Sequence, residues 1–178
     1  VQDLLNKKII ALKVELGELA NEWQMFKFWK EDNKPKRAYN KGCDNCVGGI
    51  SKLSPLFGPY KECEICRVNP LLEEYVDCLH FILSIGLELG FDYINIEKEI
   101  EEYSKSGITF KDKTVTAQFI NMFHFTVLLE VYREEGSYRE MTICFIRLGE
   151  MLGFTWDEIE KAYLEKNKIN HERQENGY

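Results

Sequence analysis

Two short acidic patterns in the sequence could do chemistry. The stretch Glu15-Leu-Gly-Glu18-Leu-Ala-Asn-Glu22 spaces three carboxylates by three and four residues, and Glu73-Glu74-Tyr-Val-Asp77-Cys-Leu-His80-Phe81 does the same for Glu74, Asp77 and His80. On a helix such steps line each set along one face. Like charges at that spacing repel, and the second set lies in a segment too apolar to be open to water, so carboxylates there need a cation. Hard divalent ions take oxygen ligands, and Mg²⁺ is held by a few carboxylates together with waters and substrate phosphates. Two antiparallel helices, one offering Glu15 and Glu18 and the other Glu74 and Asp77, would form an open site of that kind. Either pair alone reads as a solvated helix face; the combination points to a metal.

A second set of candidate ligands is softer. Cys43-Asp-Asn-Cys46 and Cys63-Glu-Ile-Cys66 are two Cys-x-x-Cys pairs with sixteen residues between them, a spacing that suits four thiolates around a tetrahedral, structural Zn²⁺. Reduced thiols or disulfides are the other outcomes for such pairs. Cys78 and Cys144 fall inside apolar helical patterns and are expected as small core residues. His124, between Phe123 and Phe125, is expected as a packed histidine rather than a ligand. Near the C-terminus, Lys166, Asn170, His171 and Arg173 gather basic and amide groups. An arginine there can fork two phosphate oxygens and a lysine supplies a point charge, although composition alone reads the stretch as a polar, fraying end.

The elements that must position these residues are helical. Leu5, Ile9, Leu12, Leu16, Leu19 and Trp23 recur at three- and four-residue steps and predict an amphipathic helix over 4–23. Periodicity then stops until about residue 69, in a segment punctuated by Pro35, Gly42, Gly48, Gly49, Pro55, Gly58 and Pro59. Pro70 stands where a first helical turn accepts it, and 71–89 is a nearly continuous apolar pattern closed by Gly90. A short helix around 94–103 with a turn near Gly107 follows. Two further helices, 116–133 and 137–152, are separated by Gly136. The last helix runs from Trp156 to about Asn170, opened by a Thr155/Glu158 capping box. No segment reads as strand. The expected fold is all-α, with residues 1–30 and 70–178 as one helical domain and 31–69 as a cysteine-bearing insertion.

The sequence also echoes itself: Gly86, Leu89, Gly90, Phe91, Ile96, Glu97 and Lys98 recur at a constant offset as Gly149, Leu152, Gly153, Phe154, Ile159, Glu160 and Lys161. A duplicated helical hairpin building a four-helix core gives that pattern, and so does a common helix stop met twice. The copies differ where chemistry is expected, because Glu74 and Asp77 fall opposite Ser137 and Glu140.

Composition narrows the function classes. With 44 % hydrophobic and 30 % charged residues over 178 positions the balance is globular. A net charge of −7 makes nucleic acid an unlikely partner, since phosphate-backbone binding draws on clustered Lys and Arg. No run approaches the roughly 20 apolar residues of a bilayer span, and a secretory pattern is lacking at Val1, so a cytoplasmic protein with no membrane contact is expected.

Taken in order, Glu15-x-x-Glu18, then Glu74-x-x-Asp77-x-x-His80-Phe81, then Asn170-x-x-Arg173-Gln174-x-x-Gly177-Tyr178 resemble the motifs of the all-α dimeric dUTPases, relatives of the MazG-type pyrophosphohydrolases, across most of the chain outside 31–69. The MazG-type relatives share the acidic pairs without the His-Phe and Arg-Gln-x-x-Gly-Tyr elements. The resemblance implies a helical-bundle homodimer that uses Mg²⁺ to hydrolyse dUTP to dUMP and pyrophosphate. It implies Glu15 as the base that activates water, or itself a metal ligand, and Glu18, Glu74 and Asp77 as the principal Mg²⁺ ligands. His80 and Phe81 would flank the deoxyribose, and Trp29 would lie near the uracil. Lys166, Asn170, Arg173 and Tyr178 would close over sugar and phosphates. Members of that family also read uracil through a glutamine-bearing helix ahead of the first acidic motif, which the sequence from Val1 does not include. Two other functions fit the same residues: a general nucleoside triphosphate pyrophosphohydrolase of MazG type, and a binding module built on the cysteine knuckle.

Overall fold

The computed structural model describes residues 2–36, 38–47, 50–52, 67–91, 98, 101, 114–175 and 177. Among them the chain forms the helices α1 (Gln2–Trp23), α2 (Pro70–Leu89), α3 (Val115–Tyr132), α4 (Glu135–Leu152) and α5 (Trp156–Glu175). The fold is all-α. The strands are four two-residue segments, β1 (Tyr39–Asn40), β2 (Cys46–Val47), β3 (Ile50–Ser51) and β4 (Arg67–Val68). All four lie in the segment expected to be irregular, and they are too short to leave a period of two in the sequence. β1 pairs antiparallel with β4, Tyr39 opposite Val68 and Asn40 opposite Arg67, which closes the segment at its base. β2 pairs antiparallel with β3, Cys46 opposite Ser51.

The apolar stripe of α1 is buried along its whole length: Leu5, Ile9, Leu12, Leu16, Leu19 and Trp23 all join the main core. α1 runs antiparallel to α2, since Lys8 near its start pairs with Glu88 at 2.9 Å while Glu15 lies beside Glu74 and Asp77. It is antiparallel to α3 as well, with the Trp23 ring 5.2 Å from that of Phe119 and an ion pair between Lys13 and Glu130. α5 packs on α2, and α3 on α4. Three of the starts are capped by side chains: Asn69 accepts the Leu72 N–H of α2, Thr114 accepts that of Ala117 in α3, and Thr155 and Glu158 cap each other reciprocally at α5.

Two boundaries differ from expectation. α3 ends at Tyr132 with Arg133 as its left-handed cap at φ 52°, within a residue of the expected end, whereas α4 starts at Glu135 rather than Ser137 and takes Gly136 into its first turn. α5 passes Asn170 and continues to Glu175, because no Gly or Pro interrupts it before Gly177 at φ 80°. Most of the helix expected around 94–103 and the turn at Gly107 lie outside the described residues, although Lys98 and Glu101 are helical. His124 is exposed rather than packed, on a helix that is apolar on nearly every side. Cys78 and Cys144 are fully buried, as expected.

The internal echo has a structural counterpart. α2 and α4 end alike, at Gly90 and Gly153 in the left-handed conformation, with Phe91 N–H bonded to the Gly86 carbonyl and Phe154 N–H to that of Gly149. The two helices exchange equivalent contacts: Tyr75 donates to the Phe145 carbonyl and Tyr138 to the Ile82 carbonyl, both at 3.2 Å. Each hydroxyl lies over the other helix's glycine, so that a Cβ at Gly149 would stand 2.5 Å from the Tyr75 oxygen and one at Gly86 2.3 Å from that of Tyr138. The tyrosines cannot swing aside, since Tyr75 is fully buried and stacked on Phe145 at 4.2 Å. Gly149→Ala is therefore expected to destabilise the protein by about 1–3 kcal/mol. Gly136→Ala, where nothing lies within 4 Å, should stabilise it by roughly 0.4–1 kcal/mol. Urea denaturation of the two variants checks both signs.

Candidate active site

Because α1 and α2 are antiparallel neighbours, the acidic faces of both meet. Glu15, Glu18 and Glu74 can place one carboxylate oxygen each within 4.8 Å of one another. The Glu74 carboxyl is pushed up to about 7, first by burial and then by Glu18, Asp77 and the other acids of the cluster. Burial, Asp77 and Glu18 raise Glu15 as well, while Lys166 and a hydrogen bond from the protonated Glu74 carboxyl work in the other direction. Glu22, one further turn along α1, binds Lys36 at 2.5 Å through one oxygen, and its other oxygen is buried without a partner among the described residues. The cluster thus holds more carboxylates than the described residues supply cations to pair.

Beside it opens a cavity of about 450 Å³ lined by Glu15, Asp77, His80, Phe81, Ser84, Lys166, Asn167, Asn170 and His171. Glu15 belongs to both the cluster and the cavity. α2 supplies Asp77, His80, Phe81 and Ser84, and α5 supplies the basic and amide groups, held by two rungs between the antiparallel helices. Lys166 Nζ donates to Asp77 Oδ2 at 2.7 Å. One turn away, the Tyr163 ring stacks on His80 at 4.2 Å and 22°. Burial, with Lys166 adding to it and Asp77 opposing, lowers the His80 pKa and favours the neutral imidazole, whose Nε2 is buried without a hydrogen-bond partner among the described residues.

Of the residues singled out in the sequence, Glu15, Asp77, His80, Phe81, Lys166 and Asn170 line the cavity, and Glu18 and Glu74 join it through Glu15. Arg173 lies exposed on the last turn of α5, and Tyr178 is outside the described residues. Trp29 is not in the cavity wall: it is 63 % exposed on the loop after α1, edge-on to Phe26 and Phe28. Asn167 and His171 fall in the basic and amide stretch singled out near the C-terminus and also line the cavity, whereas Ser84 and Tyr163 were not anticipated. Ser84 continues the α2 face of Asp77 and His80, and Tyr163 the α5 face of Lys166 and Asn170, so extending each face by one turn would have found both.

The dUTPase family model matches residues 1–41 and 61–178, which includes every helix described above. The chain belongs to the dUTPase family. Its activity is the hydrolysis of dUTP, and it is an enzyme of the dUTP diphosphatase class. No curated protein matches the chain. Residues 42–60, with Cys43 and Cys46, fall outside the family match. Among the described residues no helix is long and apolar enough to cross a membrane.

The raised Glu74 pKa has a consequence for stability. The folded-state value of about 7 lies above the 4.5 of an ordinary glutamate, so folding takes up a proton between them. The group's contribution is favourable below about pH 4.5, and stability is lost as pH rises through 7. The protein is therefore expected to lose thermal stability relative to Glu74→Gln between pH 5 and pH 8. Melting curves of both proteins across that range decide this; parallel pH profiles would contradict it.

Proposed function

We propose that the enzyme cleaves dUTP between the α and β phosphates in a Mg²⁺-dependent reaction at the carboxylate cluster, giving dUMP and pyrophosphate. The observation that carries this reading is that Glu15 is shared by an under-neutralised carboxylate cluster and a cavity of nucleotide size. Donor chemistry and spacing fit the ion: Mg²⁺ binds oxygen at about 2.1 Å, so oxygens on opposite sides of one ion stand about 4 Å apart, within the 4.8 Å spread of the cluster. When bound, the metal supplies charge neutralisation on the triphosphate and acidifies the attacking water.

The protein's residues take the following parts. Glu18, Glu74 and Asp77 hold the metal, and Glu15 accepts the proton of the water that attacks the α-phosphorus. Glu15 suits that role because its carboxyl, raised by burial and its acidic neighbours, is a stronger base than a solvated glutamate. Phe81 and the Tyr163-backed His80 flank the deoxyribose, where a ring on the sugar face leaves little room for a 2′-hydroxyl. Lys166, Asn170, Arg173 and Tyr178 engage sugar and phosphates, and Trp29 comes to the uracil when its loop closes.

Residues 1–30 and 70–178 form the catalytic domain in this reading, and 31–69 an insertion holding a structural Zn²⁺ through Cys43, Cys46, Cys63 and Cys66. Support comes from the first pair: the Cys43 and Cys46 sulfurs stand 3.9 Å apart, with Cys46 N–H bonded to the Cys43 carbonyl at 3.1 Å. Thiolates at about 2.3 Å from a tetrahedral zinc are separated by about 3.8 Å. Cys63 and Cys66 lie outside the described residues. The cytoplasm, which keeps thiols reduced, suits such a site. A homodimer is part of the proposal too, supported by Ile120, Phe123, Val127 and Val131, an exposed apolar row along α3.

Pyrophosphate release from dUTP, dTTP, dCTP and UTP tests the catalytic reading. With Mg²⁺ the enzyme should favour dUTP, and Glu15→Gln, Glu18→Gln and Asp77→Asn should each lower kcat by at least about a hundred-fold. Equal turnover of all four nucleotides would instead assign a general pyrophosphohydrolase. For the insertion, elemental analysis should find one zinc per chain that Cys46→Ser loses; protein purified without zinc at full thermal stability would count against it.

A further inference from the structure

We propose that Lys166 is the internal counter-ion of the acidic site in the metal-free enzyme, and that it competes with the divalent cation for Asp77, so that metal entry releases its ammonium into the cavity. The inference rests on the magnesium reading above. Lys166 holds Asp77 Oδ2 at 2.7 Å, with the two side chains only 32 % and 22 % exposed, so the pair is partly shielded from solvent. It is also the cation whose field reaches Glu15 against the effects of Asp77 and Glu18. The ammonium therefore stands beside the acids that would hold the metal, as a monovalent substitute for it.

Asp77 cannot serve both cations equally well. A divalent ion on its carboxylate would lie within a few ångströms of the ammonium, and like charges that close repel strongly in a partly dry site. The weaker, monovalent partner yields. Lys166 can leave without disturbing the fold, because its charge sits on a flexible four-carbon stem while Tyr163, one turn earlier, keeps α5 against α2 through its stack on His80. Its Nζ then remains in the cavity it already lines, beside Asn167 and Asn170, where a triphosphate offers new oxygens. Metal binding thus prepares the nucleotide site, and by linkage the nucleotide, by holding Lys166 away from Asp77, tightens the metal.

The exchange predicts opposite effects of one substitution. In calorimetric titrations of the nucleotide-free enzyme with Mn²⁺ as the probe ion, Lys166→Met should bind the cation about three- to ten-fold more tightly than the wild type, because the competing charge-assisted hydrogen bond is gone. Lys166→Arg, which keeps the charge, should stay near the wild type. With Mn²⁺ present, a dUTP analogue whose α,β bridge is an imido group should bind Lys166→Met about ten-fold more weakly. A purely structural role for Lys166 would weaken both. Mn²⁺ binding that is equal or weaker in Lys166→Met would overturn the exchange alone, whereas absence of Mn²⁺ binding from wild type and variant alike would remove the magnesium reading and the exchange together.

Discussion

The structure depends on holding Glu15, Glu18, Glu74 and Asp77 close together against their repulsion. Desolvation and mutual repulsion push the Glu74 carboxyl to about 7, and on the α1 and α2 faces themselves only the hydrogen bond between Glu74 and Glu15 works against them. The compensating free energy comes from the other side of the same helices. Leu12, Leu16 and Leu19 lie next to the acids on α1 and are fully buried, as are Tyr75 and Cys78 on α2. Burying such side chains stabilises by about 1.5–3 kcal/mol each, enough to fix both backbones where the carboxylates would otherwise part. The electrostatic strain is thus confined to side chains, where a cation can relieve it.

The α2/α4 pair shows how a near-symmetric scaffold was given an asymmetric function. Tyr75 and Tyr138, Gly86 and Gly149, and the two glycine caps make equivalent contacts, so both halves contribute alike to the core. Only α2 bears the acidic pair; the corresponding α4 positions are Ser137, which is buried, and Glu140, which is exposed. α4 therefore acts as the fixed support of α2. The tyrosine hydroxyls set the distance between the two helices, because each must satisfy a buried carbonyl across the contact while fitting over a residue with no side chain.

Much of this was legible in the sequence because it depends on helical period. The α1 stripe, the glycine stop of α2, the capping box of α5 and the alignment of each set of acids along one helix face all follow from spacing alone. What spacing could not give was pairing in space. The hydrogen bond of Lys166 to Asp77 and the stack of Tyr163 on His80 join residues far apart in the chain, and only the antiparallel docking of α5 on α2 brings them into register. The helix boundaries at Glu135 and Glu175 were misplaced for a local reason: Gly136 was read as a break where the backbone is already helical, and a polar segment was read as fraying where docking keeps it helical. The small strands left no period to detect.

The position of the cysteine segment becomes intelligible in the same terms. It interrupts the connection between α1 and α2, the two helices whose relative register sets the carboxylate site, and a long connection there would ordinarily weaken that register. The entropy of closing a loop grows only slowly with its length, so the thermodynamic cost is tolerable; the greater risk is a floppy segment pulling on both helix ends. Two devices limit it. The chain turns back directly after α1, where Lys36 N–H bonds to the Glu22 carbonyl at 3.1 Å and Lys36 Nζ holds the Glu22 carboxylate. The β1–β4 pair then closes the base of the segment, with Val68 buried just before the Asn69 cap of α2. Residues 42–60, outside the family match, thus leave and re-enter the fold through a closed base rather than directly from the two helix ends that carry the carboxylates.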